Sequence, residues 1–140
     1  MDEKYWGEKK PPVKKNAQNT PTEKHIAVHE NKIYYYANVN RESVAELNKK
    51  IGELESKSLT LCNNLDLEVP PTIKIYINTG GGSVVSGISS MDTILRTQVP
   101  VDTYVDGFAA SADTFLSVVA SQWFMSKNSY MFVHLSVHYT

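Results

Sequence analysis

Twice along this chain an alternating apolar run gives way to apolar residues spaced three and four apart, and no other feature narrows the fold so far. "HIAVHENKIYYYANV" reads as two short strands with a hairpin at Glu30-Asn31. Val44, Leu47, Ile51 and Leu54 follow at helical spacing, and "SVAE" predicts a capping box between Ser43 and Glu46. The polar stretch around Asn63-Asn64 and Pro70-Pro71 reads as a connector. "TIKIYI" then alternates as a strand, and Val84, Ile88, Met91 and Leu95 predict a second helix with one apolar face. Pro100 stops that helix. "VDTYV" makes another strand, "DGFAASADTFLSVVA" a turn into a third helix, and "WFM" and "SYMFVHL" the last strands. Alternation of this kind predicts an α/β domain whose mostly parallel sheet is joined by right-handed helical crossovers.

In such sheets functional groups gather at the carboxyl ends of strands, in the turns that lead to helices. Two turns carry chemistry here. "NTGGGS" places three glycines between a strand and a helix, where one would reverse the chain. Glycine triplets cost backbone entropy, so their use predicts a close approach to the main chain. Bare backbone at a helix start offers free N–H groups for a phosphate or a developing oxyanion. The phosphate reading lacks its usual companions. No Gly-Lys-Ser/Thr follows, and G-x-G-x-x-G fits only if Gly80, Gly82 and a displaced Gly87 are forced together.

The second turn, "DGFAASA", supplies Ser111 between alanines at a helix entry, where small neighbours let a substrate reach the hydroxyl. A serine needs a base to act as a nucleophile, and His134 on the last strand is the best candidate. Taken singly, Ser111 reads as a helix cap and His134 as a hydrogen-bonded strand residue. In order, however, "INTGGGSV", "DGFAASADTF" and "MFVHLS" resemble the proteolytic subunit of the Clp protease, a serine peptidase family of the ClpP/crotonase fold. That family carries Asn-Ser-Pro-Gly-Gly-Ser, then Gly-Gln-Ala-Ala-Ser-Met-Gly, then Met-Ile-His-Gln-Pro. The step of 29 residues from Gly82 to Ser111 equals the family's step from oxyanion glycine to nucleophile. The likeness runs from about residue 32 to residue 136.

The resemblance implies a fold of repeated ββα-type units and an endopeptidase acting on unfolded protein inside an oligomeric ring, with an ATP-dependent unfoldase as partner. It implies Ser111 as nucleophile, His134 as general base, and the amides of Gly82 and Ala112 as the oxyanion hole. The backbone of Ser83-Val84 and Leu135-Ser136 would pair with the substrate as added strands. Gly81 and Gly82 would be glycine so that a peptide carbonyl can come against main-chain amides, whereas Gly80 replaces the family's proline. The family's triad aspartate comes well after its histidine. Only "LSVHYT" follows His134, without an acid, so the chain is expected to be truncated and inactive alone. Asp113 in place of a small glycine, Phe108 in place of glutamine, and Leu135-Ser136 in place of Gln-Pro mark a divergent, phage-type member.

Composition bounds the alternatives. The chain has 140 residues, 41% hydrophobic and 21% charged, enough for one domain. Residues 1–24, Lys-rich with Pro11, Pro12 and Pro21, read as a disordered arm, leaving 25–140 as the peptidase domain. "KKPPVKK" could dock a partner but reads better as a solvated tail. A net charge of −1 gives no basic field for nucleic acid, and Tyr34, Tyr35 and Tyr36 lack the basic interleaving of a base-stacking platform. No apolar run reaches membrane-spanning length, and the first residues have no signal-peptide core. A single cysteine, Cys62, excludes an internal disulfide and points to the cytoplasm. No metal or cofactor is expected. The same fold class hosts acyl-CoA enzymes of the crotonase type, which need acidic bases rather than Ser and His. A Ser-Lys dyad would have to use Lys127, the only lysine after Ser111, which sits in a turn. A non-catalytic ring subunit is the third reading.

Overall fold

The computed structural model describes residues 26–110 and 112–133, with residues 112, 113 and 115 described by their backbone only. Strands β1 (Ile26–His29) and β2 (Lys32–Tyr35) form an antiparallel hairpin, Ile26 opposite Tyr35, with Glu30 turning the chain at φ 57°. Helix α1 (Arg41–Asn64) crosses to β3 (Ile73–Thr79), α2 (Val84–Arg96) to β4 (Val101–Ala110), and α3 (Ala112–Val118) to β5 (Gln122–Met125). β2, β3, β4 and β5 are parallel neighbours in that order. The expected α/β architecture, a mostly parallel sheet with helical crossovers, is therefore the observed one.

One face of the sheet is the core. Ile33 and Tyr35 of β2, Ile73, Ile75 and Ile77 of β3, and Val101 and Val105 of β4 are buried against Val44, Leu47, Ile51 and Leu54 of α1. Strand period two then sends the alternate residues to the other face. There Tyr34, Tyr76, Tyr104 and Phe124 stack across four strands at centroid spacings of 5.0, 4.7 and 4.9 Å. The tyrosine run is thus sheet, with Tyr35 facing the core and its neighbours facing outward.

Four local expectations are corrected. Helix α1 is capped by Asn40, whose side chain accepts from the Ser43 amide at 2.8 Å while the Asn40 amide donates to Ser43 Oγ at 3.1 Å. Ser43 therefore stands at N3 of the capping box, and Glu46 instead faces Lys50. The reason is local: an Asn three residues before a Ser makes the same reciprocal pair one turn earlier. α1 also continues through Asn63 and Asn64, which were expected in the connector.

Helix α2 buries Gly87, Ser90 and Ile94 rather than the expected stripe, leaving Ile88 and Leu95 exposed. Small side chains let α2 approach α1, where Ser90 Oγ donates to Asn48 Oδ1 at 2.9 Å. Finally, "DGFAA" is strand, not turn. β4 runs on to Ala110 after a register shift opposite Ile77 and Thr79. Gly107, at φ 112°, makes the irregularity, and an added Cβ there would stand 2.9 Å from the Asn78 side chain.

Candidate active site

The extension of β4 gives it two partners on one edge. β5 pairs with Asp102 to Val105, and the short strand β6 (Tyr130–Phe132) pairs in parallel with Phe108 to Ala110. The turn between them closes the gap in the ladder. Ser126 N–H donates to the Val105 carbonyl at 3.0 Å, Ser129 Oγ donates to the same carbonyl at 2.8 Å, and Gly107 N–H donates to Ser129 Oγ at 3.0 Å. On its other edge β4 pairs Ala109 with Thr79. The carboxyl ends of β3, β4 and β6 therefore lie side by side, at the spacing of about 4.8 Å that neighbouring strands keep.

The glycine turn begins where β3 ends. Gly81 and Gly82 hold φ of 95° and 146°, which side chains rarely adopt, and Gly80 does not. A Cβ on Gly80 would meet nothing within 4 Å, whereas one on Gly82 would stand 2.2 Å from the Val39 carbonyl oxygen. Two of the three glycines are thus required, and the carbonyl that needs the room is the chain's own. Val39 N–H donates to the Gly81 carbonyl at 2.9 Å and Ser83 N–H donates to the Val39 carbonyl at 2.8 Å, a parallel bridge between Val39 and Gly82. In such a bridge the groups on either side of the bridged residue are used. The N–H of Gly82 is left over, and it has no acceptor among the described residues. Gly82 is exposed.

Ser83 is differently placed. Its N–H goes to Val39, its carbonyl accepts from Gly87 N–H at 3.0 Å, and its Oγ caps α2 by accepting from Ser86 N–H at 3.2 Å. The donor expected of Ser83 for a substrate strand is thus already engaged within the chain. Val84 opens α2 beside it, half-buried. Ala112 opens α3. Ser111, His134, Leu135 and Ser136 lie outside the described residues. What precedes them does not: Ser111 follows Ala110 directly, and His134 comes two residues after Phe132, the register partner of Ala110.

Val39 was not legible as part of this site. It stands 43 residues before Gly82, an apolar residue between two asparagines, with no local pattern that points to the turn. On the outer face Asp106 accepts a very short hydrogen bond from Tyr36, whose hydroxyl is pushed up to about 12 by burial first and then by the bond to, and charge of, that carboxylate. Asp106 is thereby committed to the aromatic face. Among the described residues no group of three or more His, Cys, Asp or Glu could hold a metal, and no helix is long and apolar enough to cross a membrane.

A mostly parallel sheet joined by helical crossovers, with a glycine turn at the carboxyl end of a central strand, is an α/β architecture of the kind that gathers functional groups at its strand ends. Residues 22–139 match the family described as Clp protease, and the chain belongs to that family. It is 38% identical over 90 residues to an ATP-dependent Clp protease proteolytic subunit of Leuconostoc citreum, covering 59% of this chain and 45% of that protein. It is 33% identical over 91 residues to ATP-dependent Clp protease proteolytic subunit 2 of Treponema denticola, covering 64% and 44%. The matches thus span less than half the length of these relatives. Among solved structures, the ClpP protease catalytic domain of Plasmodium falciparum superposes with a TM-score of 0.65 at 21% identity, over 77% of this chain and 56% of that one. ClpP1 of Listeria monocytogenes does so with a TM-score of 0.56 at 26% identity, over 65% and 47%.

Proposed function

We propose that the chain carries the serine endopeptidase site of a Clp-type protease, with Ser111 as nucleophile, His134 as general base and the amides of Gly82 and Ala112 as the oxyanion hole. The observation that carries the reading is the convergence of three strand ends on one spot. β3 delivers the Gly82 amide, which has no acceptor among the described residues, β4 leads from Ala110 into Ser111, and β6 leads from Phe132 towards His134. Ser111 Oγ would attack a peptide carbonyl as His134 takes its proton. The oxyanion would then be held by the two amides, and His134 would return the proton to the leaving amine. Water would release the acyl-enzyme by the same route. Substrate main chain would pair beside Val84 and along Leu135-Ser136.

The rest of the reading concerns the assembled enzyme. Substrates would be unfolded polypeptides, hydrolysed inside a homo-oligomeric ring in the cytoplasm and fed by an ATP-dependent unfoldase. Surface that wants cover is available, since Ile88 and Leu95 of α2 and Phe124 at the end of the aromatic row are exposed. Residues 1–24 would be a charged arm outside the domain of residues 25–140.

The test is labelling with a fluorophosphonate, which modifies activated serines. The chain should label, Ser111→Ala should abolish labelling, and Ser121→Ala, exposed at the far end of the sheet, should not. Labelling that persists in Ser111→Ala refutes the assignment. A chain that never labels, alone or mixed with a complete Clp proteolytic subunit, would favour a non-catalytic ring subunit.

A further inference from the structure

Within the turn that offers the Gly82 amide, Gly81 N–H donates to Thr79 Oγ1 at 3.2 Å. Beyond that bond the turn is tied on both sides of Gly82 to the main chain of Val39, so what fixes Val39 helps to fix the amide. Val39 lies between β2 and α1, in a segment with no ladder of its own beyond that bridge. Beneath it is a buried hydroxyl pair. Tyr35 OH and Ser43 Oγ are 2.8 Å apart, Tyr35 wholly buried and Ser43 nearly so. Ser43 Oγ donates to the Asn38 carbonyl at 2.5 Å, and Tyr35 OH lies 3.3 Å from the same oxygen. Each hydroxyl has one proton to give. Tyr35 OH donating to Ser43 Oγ, which donates to Asn38 O, uses both in a relay.

The carbonyl of Asn38 and the N–H of Val39 belong to one peptide unit, and that unit is planar. A hydrogen bond that fixes the oxygen also aims the N–H. That N–H is the one donating to Gly81. A phenylalanine would fill the core at position 35 equally well, but a buried phenol needs its partner.

We propose that Tyr35 is a positioning residue for the oxyanion turn, acting through Ser43 and the Asn38–Val39 peptide on the amide of Gly82. This rests on the reading of Gly82 as an oxyanion donor, yet the positioning itself can be measured without catalysis. In the isotope-labelled 140-residue chain, amide hydrogen exchange is followed at Val39 and Ser83, the two bridge donors, and at Ile75 in the middle of β3. Tyr35→Phe removes the hydroxyl and keeps the ring. It should raise exchange at Val39 and Ser83 by roughly two- to tenfold, the worth of one hydrogen bond, and leave Ile75 unchanged. In a Ser43→Ala background Tyr35 OH can still donate directly to the Asn38 carbonyl, so the effects of the two substitutions should be coupled rather than additive. Unchanged exchange at the bridge, an equal rise at Ile75, or full additivity overturns the proposal. Fluorophosphonate labelling of the parent chain tests the protease reading separately. Where the parent labels, Tyr35→Phe should slow the bond-forming step and leave reagent affinity as it was, the split expected of a weakened oxyanion contact. Labelling at the parent rate despite faster exchange at the bridge would show that the relay holds the turn but not the oxyanion donor.

Discussion

Replacing Gly82 with alanine should damage this protein far more than replacing Gly80, although the two stand two residues apart in one run. The new Cβ would lie 2.2 Å from the Val39 carbonyl oxygen and 3.1 Å from the Val39 nitrogen and carbonyl carbon. These are main-chain atoms, so no side-chain rotation makes room. The backbone there also holds φ 146°, and a residue forced into such a region costs about 1–3 kcal/mol. If the turn shifts to relieve the clash, the two bonds of the Val39 bridge are lost, each worth roughly 0.5–1.5 kcal/mol. The sum is about 2–6 kcal/mol, a large share of a small domain's stability.

Gly80→Ala adds a Cβ that meets nothing within 4 Å at an ordinary φ. There the lost freedom of the unfolded chain should leave stability level or raise it by about 0.4–1 kcal/mol. Urea unfolding of the three proteins, followed by circular dichroism, reads the difference as a shift in midpoint. Equal midpoints for Gly82→Ala and Gly80→Ala would refute the bridge and, with it, the account of why the glycines are there.

The capping of α1 separates two residues that a sequence motif would confuse: Asn40→Ala should cost about 1 kcal/mol, and Glu46→Ala less than about 0.5 kcal/mol, in the same unfolding assay. Tyr36 has its folded pKa raised from 10.0 to about 12, so its contribution is fully present below pH 10.0 and is lost as pH climbs towards about 12. Tyr104 is also raised above its ordinary value, by burial first, so tyrosinate absorbance should show late titration from which Tyr36→Phe removes one group, and a titration curve that Tyr36→Phe leaves unaltered contradicts the Asp106 contact.

Much of this fold is written locally. A period of two or of three to four residues depends on side chains within a few positions of one another, so the hairpin, the first two helices and the order of elements along the chain could be read directly. The glycine turn and the order of the three motifs were legible for the same reason. Where local signals misled, a partner distant in sequence had the deciding part. Val84, Ile88, Met91 and Leu95 make a consistent helical stripe, yet α2 turns Gly87 and Ser90 inward because α1, with Asn48, needs small neighbours there. Asp106 and Gly107 look like a turn, but β3 on one side and the Ser126–Ser129 turn on the other keep β4 extended through them.

Two features of the candidate site belong to tertiary structure alone. Phe132 becomes the partner of Ala110 only because β6 returns to β4 rather than extending beyond β5. Gly82 N–H has no acceptor among the described residues because the main chain of Val39 bonds to the groups of its neighbours, Gly81 and Ser83, instead. Sequence by itself determined the elements, their order and the residue types available for chemistry, since those follow from short-range periodicity and backbone freedom. Which strand ends meet, and which groups of the glycine turn bond to Val39, was decided by hydrogen bonding between segments tens of residues apart, because each main-chain donor is spent on the partner that folding brings to it.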